Sequence, residues 1–212
     1  MDTFAKPLIS YGCDVNPQKI IGVGQGENRF GSNDDVLATL GLASCVGLVA
    51  YSKKFTFMAH IDIGNCIGFN FNENGRCLHL EKLYKRVLEV KRDNPDFSEL
   101  YIATVSSETF RYERKWWSGY AIKLDENINR FIEDCLSLGI NVIKHPHFQS
   151  KFCAINSQNG DFYTSDGSYA IKTNIMDLSQ RQWLNCMRPS EQNYQFQGLE
   201  NLESFADSFR RK

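Results

Sequence analysis

Several things are missing from this chain. No apolar run approaches the ~18–20 residues that a membrane-spanning helix requires. No run of one charge stands out either: 24 Lys and Arg face 25 Asp and Glu, a net charge of −1. Neither nucleic acid nor an anionic membrane is therefore the expected main partner. The seven cysteines are odd in number, irregularly spaced and without a C-x-x-C pair, which argues against a disulfide framework. The opening Met1-Asp2-Thr3-Phe4-Ala5-Lys6 has neither the basic start nor the apolar block of a secretory signal. A cytoplasmic location is the default expectation, and export without a cleaved signal would leave the same features. There is no internal repeat. Gly22-Val23-Gly24-Gln25-Gly26 lacks G-x-G-x-x-G spacing and no helix follows it before Asp34-Asp35, so a nucleotide loop is not expected there.

What is present is enough apolar sequence for one core, at 42% of 212 residues. Residues 1–18 show no periodicity and hold Pro7 and Pro17, an N-terminal extension. Residues 19–178 read as the folded domain. Residues 179–212 turn polar, with Leu199, Leu202, Phe205 and Phe209 spaced for one short amphipathic helix. Residues 19–24 and 36–62 supply the first strands. Leu78 to Asp93 has helical spacing, with Leu80, Leu83, Tyr84, Val87 and Leu88 on one face. Leu100 to Val105 reads as a strand. A second helix is expected from Asp125, as N-cap, to Gly139, as the residue after the C-cap. Ile140 to Lys144 returns as a strand, and Gln158-Asn159-Gly160 signals a hairpin between Phe152-Cys153-Ala154-Ile155 and Phe162-Tyr163-Thr164. The pattern predicts an α+β fold, a layered sandwich of mixed β-sheets with flanking helices.

The most informative stretch is Thr39-Leu40-Gly41-Leu42-Ala43-Ser44-Cys45, with His60 fifteen residues beyond the cysteine. Val46 to Tyr51 reads as a buried strand, Ser52-Lys53-Lys54 as a turn, and Phe55 to Asp62 as the return strand. A turn centred on Ser52-Lys53 pairs Cys45 with His60. One centred on Lys53-Lys54 pairs Cys45 with Asp62 and sets His60 on the diagonal. Both registers leave Cys45, His60 and Asp62 on one face, because side chains alternate along a strand. A thiol needs a neighbouring imidazole or backbone N–H groups to become a thiolate at neutral pH. His60 can act as that base and later as the acid for a departing amine. Asp62 is placed to orient the imidazole. Backbone N–H groups around Ser44 and Cys45 form a candidate oxyanion site, which the small residues permit.

These residues also carry a family resemblance. Thr39 to Gly47 resembles the T-[LYF]-G-L-G-S-C-V-[AG] signature of the chemoreceptor glutamine deamidases, the CheD family, with Ala43 where that family usually has glycine. Met58-Ala59-His60 is similar to its downstream M-A-H, and Ile20-Ile21-Gly22-Val23-Gly24 with Asp34-Asp35-Val36-Leu37 fits its opening strand. The similarity extends to about residue 165. The resemblance implies the layered fold, Cys45 as nucleophile, His60 as catalytic histidine, Thr39 as its support, and no cofactor. Ile102 to Ser107 and Lys144 to Phe148 stand where the family has glycine motifs, so the substrate groove is expected to differ. His60-Ile61-Asp62-Ile63-Gly64 more loosely resembles the His-x-Asp-Gly of the protein N-terminal asparagine amidohydrolases.

Two further clusters need weighing. His145 and His147 alternate onto one face of an extended segment, with Cys153 nearby, but Pro146 between them and the lack of a second ligand pair point away from a metal site. Arg111-Tyr112-Glu113-Arg114-Lys115-Trp116-Trp117 mixes cationic and aromatic residues, and Arg111, Arg114, Trp116 and Trp117 are expected to rim the cleft against a protein substrate. The expected function is a metal-free, cysteine-dependent hydrolase that deamidates glutamine, or asparagine, within a protein. The alternatives are an N-terminal asparagine or glutamine amidohydrolase, an exported effector deamidase, and a protein-binding module on a deamidase scaffold.

Overall fold

The structure, a computed structural model, describes residues 20–42, 45–63, 70–107, 118–165, 169–176 and 194–195. In chain order the strands are β1 (Ile20–Gly22), β2 (Asn28–Gly31), β3 (Val36–Leu40), β4 (Cys45–Tyr51), β5 (Thr56–Asp62) and β6 (Glu99–Ser106). They continue with β7 (Asn141–Lys144), β8 (Phe148–Gln149), β9 (Phe152–Asn156), β10 (Asp161–Ser165), β11 (Tyr169–Asn174) and β12 (Tyr194–Gln195). Two helices are described, α1 (Leu78–Asp93) and α2 (Ser118–Ser137). One sheet runs β1-β3-β9-β10-β11-β12; the other runs β2-β5-β4-β6-β7, with β8 also on β6. Both mix senses, because β1 pairs parallel with β3, and β7 and β8 pair parallel with β6. The expected α+β class and layered arrangement are therefore present.

Alternation along the β4–β5 hairpin builds the layers. Val46, Leu48, Ala50, Phe57, Ala59 and Ile61 pack with Leu80, Leu83 and Val87 of α1 and Ile128, Phe131 and Cys135 of α2. The opposite set, Cys45, Val49, Tyr51 and Met58, packs with Leu37, Cys153, Ile155 and Phe162 of the other sheet. Helices thus cover one face of the second sheet, and the first sheet covers its other face. All seven residues of β4 and all seven of β5 are buried. That double burial explains why both strands read as apolar runs with few breaks.

The two helices differ in how well their ends follow the sequence. Helix α1 spans the expected residues, but Leu88 is exposed while Val90 and the unforeseen His79 are buried. Helix α2 begins at Ser118, so Asp125 is an interior residue rather than its N-cap. No proline or glycine between Tyr120 and Asp125 stops the helix there, and the exposed Asp125 carboxylate meets Lys144 Nζ at 3.2 Å instead. Its far end is as expected. Gly139 has φ +71°, and the N–H groups of Gly139 and Ile140 donate to the Leu136 and Cys135 carbonyls at 2.9 and 3.0 Å, a Schellman closure. Strand β2 was not anticipated. Its sequence Asn-Arg-Phe-Gly has weak strand character, and pairing with the edge of β5, plus Phe30 against Phe57 at 4.9 Å, organises it.

Among the described residues no helix is long and apolar enough to cross a membrane. The expected terminal segments at 1–18 and 179–212, including the helix over Leu199 to Phe209, lie outside the described residues apart from β12.

Candidate active site

The β4–β5 turn centres on Lys53-Lys54, with Ser52 N–H donating to the Phe55 carbonyl at 2.9 Å. Of the two registers the sequence allowed, the structure takes the second. Cys45 opposes Asp62, Gly47 opposes His60, and Cys45 meets His60 on the diagonal. All three candidate side chains lie on the face turned toward the first sheet. Gly47 matters here because a Cβ on it would stand 3.0 Å from both Cys153 Sγ and Leu42 Cδ1. A bare backbone opposite the imidazole lets β3 and β9 approach this closely.

Thr39 reaches His60 from the other sheet. Its Oγ1 lies 2.8 Å from His60 Nδ1 and donates to the Val23 carbonyl, also at 2.8 Å. A threonine hydroxyl has one proton. With that proton committed to Val23, Thr39 Oγ1 accepts from Nδ1–H, which assigns the ring proton to Nδ1. The Val23 carbonyl also acts on the ring as an acceptor. The basic lone pair is left on Nε2, which is buried and has no hydrogen-bond partner among the described residues. It is the ring atom available to take a thiol proton.

The segment dismissed as a nucleotide loop clasps this histidine. Gly26 N–H donates to the His60 carbonyl at 2.9 Å, and His60 N–H donates to the Glu27 carbonyl at 3.0 Å. Val23 N–H in turn holds the Ala38 carbonyl at 2.8 Å. Gln25, at the exposed tip, donates from Nε2 to Asp62 Oδ2 at 2.5 Å. Asp62 acts on His60 through its charge, while Thr39 supplies the orienting acceptor for Nδ1. Thr39 is therefore placed at Nδ1 as a candidate orienting residue, and Asp62 faces the ring as a nearby charge.

Burial lowers the His60 pKa to about 4, the nearby Asp62 carboxylate and the Val23 carbonyl opposing it only partly. The imidazole is neutral at neutral pH, as a proton acceptor must be. Cys45 is buried and not disulfide-bonded. Burial pushes the thiols of Cys77 to about 11 and Cys135 to about 12, and raises that of Cys153 further.

A second polar network escaped the sequence reading. His79 Nδ1 lies 2.9 Å from Asn28 Nδ2, and its Nε2 lies 2.8 Å from Asn70 Oδ1. Asn70 Nδ2 donates to the Asp62 carbonyl at 2.9 Å. This chain of contacts anchors the end of β5 that carries Asp62. Its signal in the sequence was a polar triplet, Asn28, Asn70 and His79, whose members meet only in the folded chain.

The other expected site residues are less favourably placed. His145 stacks on Tyr101, with ring centroids 6.2 Å apart, whereas His147 meets Thr104 Oγ1 and Ser106 Oγ at 3.1 and 2.8 Å. Tyr101 and Thr104 sit on opposite faces of β6, so the two histidines diverge instead of sharing a face. Ile102 to Ser106, where the resemblance expects a glycine motif, is the mostly buried end of β6, and Ser107 follows it. Ser44 and the rim residues Arg111, Arg114, Trp116 and Trp117 lie outside the described residues, as do Cys13, Cys66 and Cys186. Among the described residues no three His, Cys, Asp or Glu side chains cluster to hold a metal ion.

A scan against protein-family models finds no match, and a search of curated proteins likewise finds none.

Proposed function

We propose that the chain is a cysteine-dependent amidohydrolase that deamidates a side-chain carboxamide, glutamine foremost, in a protein substrate. The observation that carries the reading is the threonine bridge from Val23 to His60, because it leaves a neutral imidazole with an acceptor nitrogen beside a thiol. Cys45 attacks the amide carbon as its proton passes to His60 Nε2. The C–N bond breaks while His60 returns that proton, so ammonia leaves and a thioester remains. Water then attacks the thioester with His60 as base, and the carboxylic acid and the Cys45 thiol are restored. No step requires a cofactor. The small-residue approach to Cys45 supports close passage of a substrate backbone.

Ammonia release from glutamine-bearing proteins tests this. Cys45→Ser should abolish it while leaving the melting temperature nearly unchanged. A Cys45→Ser protein with full activity would overturn the proposal.

The N-terminal amidohydrolase reading retains one supporting observation, a carboxylate, Asp62, directly opposite the cysteine, where a free α-amino group needs a counter-charge. Peptides carrying glutamine internally or at a free or blocked N-terminus separate the two. Activity on the free N-terminus alone would favour that reading.

A further inference from the structure

Asp62 is a buried carboxylate directly across the ladder from Cys45. Opposed residues in an antiparallel pair have Cβ atoms roughly 4.5–5.5 Å apart, so a group bound by Asp62 lies beside the thiol. One group its carboxylate takes in this structure is a primary carboxamide, that of Gln25, whose Nε2 donates to Oδ2 at 2.5 Å. Gln25 is exposed, and the neighbouring Gly26 ties its loop to the His60 backbone. The chain's own glutamine thus sits at the site with its NH2 group on a carboxylate.

From this juxtaposition we infer that Asp62 is the specificity-determining residue that receives the NH2 group of the substrate carboxamide, and that Gln25 holds the same subsite until substrate displaces it. The inference rests on the deamidase reading and deepens it. The chemistry is selective because an ionised carboxylate only accepts hydrogen bonds. A primary amide offers two N–H donors and is held, whereas the carboxylate produced by the reaction offers none and is repelled. The same residue therefore separates glutamine from glutamate and favours departure of product. Asp62 serves this role as a binding group, apart from the proton transfers assigned to His60.

Two neutral alkylating reagents test the subsite without any substrate protein. Chloroacetamide carries the NH2 group, and 2-chloro-N,N-dimethylacetamide lacks it. Rates of Cys45 alkylation are read by peptide mass spectrometry and normalised to a small free thiol. Gln25→Ala should remove the competing carboxamide and raise the normalised preference for chloroacetamide by about tenfold, the size expected of a charge-assisted hydrogen bond. Adding Asp62→Ala should return the preference to that of the free thiol. Asp62→Asn, of matched shape, should lower it and serves if the alanine variant does not fold. A Gln25 that merely braces its loop predicts equal changes with both reagents, and that result would overturn the inference. Cys45-dependent ammonia release without reagent preference would sink the subsite and leave the deamidase intact. A strong, Asp62-dependent preference without turnover of any glutamine would sustain the subsite and sink the deamidase reading.

Discussion

His60 and His79 are buried to the same extent, 3% exposed each, and burial drives both to a pKa of about 4. Their ring nitrogens tell them apart. His79 is satisfied at both, accepting from Asn28 and donating to Asn70, whereas His60 is held at Nδ1 and leaves Nε2 without a partner among the described residues. A shifted pKa therefore does not distinguish the two rings. The satisfied ring braces β5 from the helix side, and the half-satisfied ring faces the sheet that carries Thr39, on the ladder diagonal from Cys45. The two rings differ in which hydrogen bonds remain unmade, and on the proposed mechanism that difference separates a bracing histidine from a proton acceptor.

The sharpest way to break this comparison is to remove each ring in turn. His60→Ala should lower ammonia release by about 10²–10⁴-fold, the usual contribution of a general acid–base, with little change in melting temperature. His79→Ala should do the reverse. It strands the buried Asn70 and the half-buried Asn28, at about 1–3 kcal/mol for an unsatisfied buried group, and the protein that remains folded should keep its turnover. Calorimetry beside an ammonia assay reads both, and equal loss of activity in the two variants would dissolve the distinction.

A smaller effect is expected at Thr39. Thr39→Val keeps the shape and removes the acceptor for Nδ1–H, while the Val23 carbonyl still holds the ring in part. Turnover should fall roughly tenfold, about 1.4 kcal/mol, and Thr39→Ser should restore most of it. An unchanged rate in Thr39→Val would show that the ring needs no orienting hydroxyl.

The pH dependence is subtler. Both histidines have folded pKa values below the unfolded value of about 6.5. Between pH 6.5 and about 4 the unfolded chain thus binds more protons than the folded one. Stability is fully present above pH 6.5 and declines as the pH falls through that window. His79→Gln should flatten this decline by removing one of the two groups. The acid limb of kcat/KM reports the free enzyme's base and should stay near pH 4 in that variant. A limb near 6.5 would contradict a buried, neutral His60.

The site was legible in the sequence to the extent that it is local. Cys45 and His60 share one hairpin, and a period of two fixes their common face whatever the register. The register itself was undecided, because Ser52-Lys53-Lys54 accommodates either turn, and the Ser52 to Phe55 backbone bond selects one. Thr39 entered through family resemblance alone, since its contact with His60 crosses between sheets. Gln25, Asn28, Asn70 and His79 could not be read, because their partners lie 37 residues from Gln25, 51 from Asn28 and nine from Asn70 along the chain. The start of α2 was misplaced because Asp125 resembles a cap, and tertiary packing of Leu124 and Ile128 carries the helix through it.

The most direct measurement of the central claim, that His60 and not His79 activates Cys45, is the pH–rate profile of Cys45 alkylation by iodoacetamide. Peptide mass spectrometry follows the reaction in the native protein, where the burial-raised thiols of Cys77, Cys135 and Cys153 react far more slowly. The reactive form of a thiol–imidazole pair arises once the pair has lost its first proton, so the wild-type rate should rise well below the ~8.5 of a free thiol. His60→Ala should move that rise to 8.5 or above, and His79→Ala should leave it in place. A profile that His60→Ala does not alter would contradict the account.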